Sequence, residues 1–166
     1  MVTIRKITIA LLVVAIGIWV GVHHGSSEER RVKRPFHLLA KWVSKEPGET
    51  TFAMARKTQS LGKLFVENCG FKASIISFSG HYSPAEISSY AAQARLQFSE
   101  LSLKFYDFRV EFPEKETATV TVTARVTGTS RNGEPIDEVQ ELRCLLKKTE
   151  GEWLFTDCAV IEVLEP

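Results

Sequence analysis

With 166 residues, the chain has room for one domain built around one hydrophobic core. Apolar residues make up 44% and charged residues 25%, which excludes a disordered or collagen-like chain. Lys plus Arg number 21 against 20 Asp plus Glu, so the net charge of +1 lacks the basic excess of a nucleic-acid binder. Three cysteines are too few and too widely spaced for a disulfide scaffold or a structural zinc site.

The first element is an address. Ile7 to Val22 is sixteen residues without a charge, preceded by Arg5 and Lys6. As a helix it spans about 24 Å, short of a ~30 Å hydrocarbon layer and slightly longer than a typical signal-peptide core. No Ala-x-Ala cleavage site follows it. Residues 1–27 are therefore expected to be an uncleaved signal anchor, ahead of a removed signal peptide or a buried helix, and residues 28–166 the folded domain. Arg5 and Lys6 argue for a cytoplasmic N-terminus, whereas Arg30, Arg31, Lys33 and Arg34 pull the other way. Residues 35–166 carry 15 basic and 18 acidic groups, net −3, so the body has no bias toward anionic lipid. The expectation is a single-pass inner-membrane protein held through residues 7–22, with its domain outside the cytoplasm and an envelope protein as possible partner.

Helices come next. Pro35 suits a first helical turn, and Phe36, Leu39, Ala40 and Val43 recur at helical spacing, widened by Leu38 and Trp42, until Glu46-Pro47-Gly48 stops the run. A second helix from Thr50 or Thr51 carries Met54, Leu61 and Phe65. Phe71 to Phe78 reads as a strand. Ser83-Pro84-Ala85-Glu86 is a capping box with Pro at the first helical position, opening a core-facing helix marked by Ile87, Tyr90, Ala91, Ala94, Phe98 and Leu101.

After Leu101 the period changes to 2. Leu103 and Phe105 begin a strand that stops at Pro113, with Tyr106 and Phe108 on one face and Asp107 and Arg109 on the other. Residues 117–127 alternate cleanly, placing Ala118, Val120, Val122, Ala124 and Val126 on one side. Asn132-Gly133 signals a hairpin, the returning strand covers 136–148, and Glu150-Gly151 turns into a last strand over 152–164.

The expected fold class is α+β, a curved antiparallel sheet wrapped around about three helices and preceded by one N-terminal transmembrane or signal helix. The capped helix at Ser83, the stretch Tyr106-Asp107-Phe108-Arg109-Val110, the Ala118-Thr119-Val120 strand and the closing Leu145-Leu146-Lys147-Lys148 with Gly151-Glu152-Trp153-Leu154-Phe155 follow a familiar order. Over roughly residues 30–165 the chain resembles the nuclear-transport-factor-2-like superfamily, the cystatin-like cone shared with ketosteroid isomerases and polyketide cyclases. That resemblance implies a pocket between sheet and helices, catalytic in some members through an Asp or His base and lost in others that serve as binding or assembly modules.

On the last strand Trp153, Phe155, Asp157, Ala159, Ile161 and Val163 form the more apolar row, which carries Asp157 inward as a candidate base. His81 and Tyr82 stand before the capped helix at a pocket mouth. The candidate ligand-binding residues are Asp157, Trp153, Tyr82, His81, Tyr90 and Tyr106. No residue is assigned a catalytic role, no metal site is expected at His23, His24 or His37, and no cofactor motif occurs. Cys144 and Cys158 flank the Glu150-Gly151 turn, where one register sets them opposite each other, as two free thiols or a disulfide. The Thr-rich outer sheet face predicts a monomer or a weak homodimer. The function expected from these features is a membrane-tethered noncatalytic binding or scaffold module of the cell envelope. The alternative is a small-molecule isomerase or cyclase-like enzyme using a pocket carboxylate.

Overall fold

The computed structural model describes residues 27–73 and 78–164. The segment expected to be a membrane anchor lies outside them, and among the described residues no helix is long and apolar enough to cross a membrane. Helix α1 covers residues 27–43. It begins earlier than Pro35 suggested, so that proline sits inside the helix rather than at its start. The first turns are held instead by Arg31–Glu28 and Lys33–Glu29 ion pairs at 2.7 and 2.5 Å, at spacings that bring side chains together on a helix surface.

Helix α2 (Thr51–Gly62) starts where Thr50 accepts a hydrogen bond from the Ala53 N–H at 3.2 Å. It stops before Phe65, which opens strand β1 (Phe65–Ala73) rather than closing a helix. Strand β2 (Phe78–Tyr82) pairs with β1 antiparallel, so the two ends of the single strand expected over 71–78 belong to two neighbouring strands. Helix α3 (Pro84–Leu96) carries the full capping box: Ser83 N–H donates to Glu86 at 2.8 Å and Glu86 N–H donates to Ser83 Oγ at 3.3 Å. Its C-cap is Gln97, so Phe98 and Leu101 belong to the next strand and not to the helix face.

Strands β3 (Phe98–Glu111), β4 (Thr117–Ser130), β5 (Pro135–Thr149) and β6 (Glu152–Leu164) complete a six-stranded sheet in the order β2-β1-β6-β5-β4-β3. All pairings are antiparallel except β1 with β6. The connections at the two ends of β5 differ. Asn132-Gly133 sits in a looser connection, closed by Ser130 N–H to Glu134 O at 2.8 Å, whereas Glu150 (φ 52°) and Gly151 (φ 85°) form the tight two-residue turn. A β turn of that kind needs positive φ at both positions, and Gly151 adopts it without steric cost.

Alternation on β4 works as read: Ala118, Val120, Val122 and Ala124 are buried. They join Leu146, Trp153 and Phe155 in a core covered by Val32 and Phe36 of α1, with Ile87 packed against its edge. Phe36 is fully buried and meets Phe105, Phe108 and Phe155 edge-on, with ring centroids 5.3, 5.4 and 4.9 Å away. Those distances and angles are the favoured aromatic geometry, so one side chain fastens α1 to both β3 and β6. The result is an α+β cone: a twisted, unclosed sheet whose concave side is filled by helices.

Candidate functional site

Between α1, α3 and the concave sheet lies a cavity of about 440 Å³. Phe36 and Leu39 wall it from α1, Ile87 and Ala91 from α3, and Phe71 and Phe105 from the sheet. Its surface is almost entirely hydrocarbon. Helix α3 is thus a roof over a hollow and not a core helix: Ile87 and Ala91 are half-buried, and Tyr90 is 52% exposed.

Two tyrosines stand at one side. Gly80 and Tyr82, two apart on β2, face the same way, and the Tyr82 ring folds back over Gly80, where a Cβ would come within 2.9 Å of the hydroxyl. Glycine is needed there for that close approach. Tyr82 packs against Phe71 at 5.9 Å and crosses Tyr90 of α3 edge-on at 5.6 Å, so the two tyrosines share one wall of the cavity.

The charged residues lining it are Lys72, which is exposed, and Arg95, which is 1% exposed. Arg95 is already engaged. Its guanidinium donates to the carbonyls of Trp42, Val43 (2.8 Å) and Ser44 (2.9 Å) and pairs with Glu49. Burial alone would raise the Glu49 carboxyl, but Lys57 and Arg95 beside it hold it below its ordinary range. Among the described residues, no Asp, Glu or His lines the cavity.

Of the residues singled out from sequence, Tyr82 and Tyr90 line this cavity and the others do not. Asp157 was expected on the inward row, and the register explains why it is exposed on the outer face. Leu145 pairs with Asp157 but Leu146 pairs with Phe155, leaving Thr156 as an extra residue whose hydroxyl donates to Leu145 O at 3.1 Å. One inserted residue moves those that follow to the opposite face, as far as a further register shift after Val160, so Cys158 and Val160 turn inward in place of Asp157. Asp157 instead flanks Gly70 together with His81, on the convex side near Arg143. Trp153 is buried at the far end of the cone, where its indole N–H donates to Glu28 at 3.3 Å and its ring lies 6.1 Å from Phe112.

A second bulge corrects the reading of β3. Tyr106 pairs with Thr123 and Arg109 with Thr121, so Asp107 (φ 55°) and Phe108 oppose one residue. Phe108 consequently packs inward on Phe36 beside Phe105, Tyr106 is 44% exposed, and Arg109 pairs with Glu141 at 2.7 Å rather than with Asp107. On the cavity floor the register does set Cys144 opposite Cys158, and both are free thiols. Hydrogen bonding with Cys144 and burial push the Cys158 thiol well above its ordinary range; burial does the same to Cys69 on β1. Sequence reasoning had no sign of either bulge and so could not place Cys158 or Val160 on the lining.

The structure is thus an apolar hollow under a helical roof, inside a bent sheet. It is the fold of the nuclear-transport-factor-2-like superfamily, and solved structures of that kind are similar to this chain. One is a candidate scytalone dehydratase from Novosphingobium aromaticivorans (TM-score 0.68, 15% identity, covering 87% of this chain and 89% of that one). Another is a type 2 hexachlorocyclohexane dehydrochlorinase, LinA (TM-score 0.64, 12% identity, 83% and 88%). A third is a protein of unknown function from Mycobacterium tuberculosis (TM-score 0.69, 14% identity, 87% and 76%). No family model matches the sequence, and no curated protein matches it. These likenesses overturn the noncatalytic part of the expected membrane-tethered scaffold module: enzymes are prominent among the chain's structural neighbours.

Proposed function

We propose that this chain binds a small uncharged ring compound in the cavity and transforms it, using hydroxyl rather than carboxylate chemistry. The carrying observation is the hydrocarbon-lined hollow of about 440 Å³ with Tyr82 and Tyr90 side by side on its wall. An apolar cavity of roughly 150 Å³ already takes benzene, so this one has room for a molecule of two or three rings. An ionised group carried into such surroundings would lose its hydration, and of the two cations on the lining Arg95 is already paired with Glu49 and three carbonyls, which leaves Lys72 alone. The name of the dehydrochlorinase neighbour specifies hexachlorocyclohexane, an uncharged apolar ring, which supports the same substrate class.

A phenol can donate a hydrogen bond. Placed against an apolar substrate, it stabilises negative charge growing on a carbonyl or departing oxygen, and low surrounding polarity strengthens that bond. Lys72, the exposed cation on the lining, has the sign that favours such charge. The reaction class that suits these groups is elimination beside an oxygen, in which a tyrosine hydroxyl gives its proton to the departing oxygen and the tyrosinate so formed takes the proton from the neighbouring carbon, leaving an alkene and water.

The test uses N-phenyl-1-naphthylamine, a neutral fluorophore, displaced by 2-tetralol, with dehydration of the alcohol followed by mass spectrometry. Ala91→Trp, which fills the cavity from α3, is expected to abolish fluorophore binding. Tyr82→Phe is expected to leave displacement intact while lowering turnover about a hundredfold. Fluorophore binding that survives Ala91→Trp would overturn the cavity as the site. Turnover absent from wild type, or equal in Tyr82→Phe, would overturn the hydroxyl chemistry.

A further inference from the structure

The cavity floor carries a pair of groups that substrate binding does not use. Cys144 on β5 and Cys158 on β6 are direct cross-strand partners, and both line the cavity. Opposed residues of an antiparallel pair have Cα atoms about 4.5–5.5 Å apart, inside the range of about 4.4–6.8 Å that a disulfide spans. Side chains on the same rung of one face also leave the backbone in parallel directions, so the two thiols stand side by side on the cavity floor. They came together through the Thr156 bulge: without that extra residue, Cys158 would face outward.

We propose that Cys144 and Cys158 form an oxidation site, closed to a reversible cross-strand disulfide by a small uncharged disulfide entering the apolar cavity. Cys158 is half-buried and Cys144 is 2% exposed, so Cys158 reacts first. Its thiolate attacks one sulfur of the reagent, forming a mixed disulfide and expelling a thiolate. Cys144 then attacks the Cys158 sulfur, forming the protein disulfide and expelling the second thiolate. The two thiol protons end on the two leaving groups, and the two electrons lost by the cysteines reduce the reagent's sulfur–sulfur bond. Burial and hydrogen bonding with Cys144 hold the Cys158 thiol protonated, so the reaction is slow at neutral pH and accelerates as pH rises. Cys69 lies off this rung, since the β1 residue facing Cys158 is Phe71. The inference does not depend on which compound the cavity binds.

The experiment treats the full-length folded chain with 4,4′-dithiodipyridine. Two equivalents of thiopyridone per chain are expected, with loss of two hydrogen masses, a Cys144–Cys158 peptide after digestion, and reversal by dithiothreitol. Cys69→Ser should leave all of this unchanged. Cys144→Ser should halt the reaction at a single mixed disulfide on Cys158, which separates the two steps. A peptide joining Cys69, stable mixed disulfides on both Cys144 and Cys158, or no release until the chain is unfolded would each overturn the proposal. Binding of N-phenyl-1-naphthylamine, measured on the same samples, is expected to differ between the oxidised and reduced forms, because the new bond lies on the cavity floor. Identical binding would remove any link between oxidation and the pocket.

Discussion

Replacing Arg95 by Leu is expected to cost about 3–5 kcal/mol of stability, the range for removing one partner of a buried ion pair. Urea unfolding followed by Trp fluorescence measures it. Arg95 is 1% exposed and Glu49 5%, so neither group recovers water when the other is removed. Three of the acceptors it serves, the carbonyls of Trp42, Val43 and Ser44, lie at and beyond the end of α1, where a helix leaves its last carbonyls unpaired and its dipole negative. The same residue therefore caps α1, anchors the α1–α2 connection through Glu49, and ends α3. Lys45 supports it from the other side, donating to Arg95 O at 3.1 Å and Phe98 O at 2.5 Å. The acid limb carries a second signature. Glu49 has its folded pKa below the ordinary 4.5, so its contribution is present in full above that value and is lost as pH falls through the folded one. In Arg95→Leu the depression weakens, and the fall in stability on acidification should become shallower than in wild type. A loss under about 1 kcal/mol would show that Lys57, 2.5 Å from Glu49, suffices alone.

What the sequence conveyed well was whatever depends on local chemistry. The Ser83 cap, the helix start at Thr50 or Thr51, the alternation of β4 and the Glu150-Gly151 turn are each specified by a few neighbouring residues, and each is found in place. What it withheld depends on strands meeting across the sheet. Period-2 counting assumes an unbroken pleat, and the bulges at Thr156 and Asp107 break it, sending Asp157 and Tyr106 outward and Phe108 and Cys158 inward. Arg95 was missed for a different reason. A lone arginine in the last turn of an amphipathic helix reads as solvated, and its burial follows from carbonyls of α1 and a carboxylate on the following loop, many residues away in the chain. Bulges also explain why the candidate site changed its chemistry. An inward Asp157 suggested a general base, whereas the observed lining offers phenols, thiols and cations.

Phe36→Ala is expected to destabilise the fold by about 3–5 kcal/mol and, unlike Arg95→Leu, to be rescued by a small apolar ligand. Phe36 is fully buried, touches three other phenylalanines, and also walls the cavity. Truncating it removes the contacts that join α1 to β3 and β6 and extends the hollow by the volume of a ring. A void lined by Phe105, Phe108 and Phe155 has no polar group to hold water, so it stays dry and accepts a ring in place of the one deleted. Ligand that binds the folded state alone stabilises by mass action, about 2.7 kcal/mol at one hundred times its dissociation constant. Toluene added to the variant should therefore raise its Tm by several degrees more than it raises that of wild type. A variant that lost less than about 1 kcal/mol would show that α1 is held chiefly by Val32 and the Glu28 contacts. A variant with the full loss but no response to toluene would show that the sheet and α1 collapse onto each other, and that the cavity is not kept open by the surrounding frame.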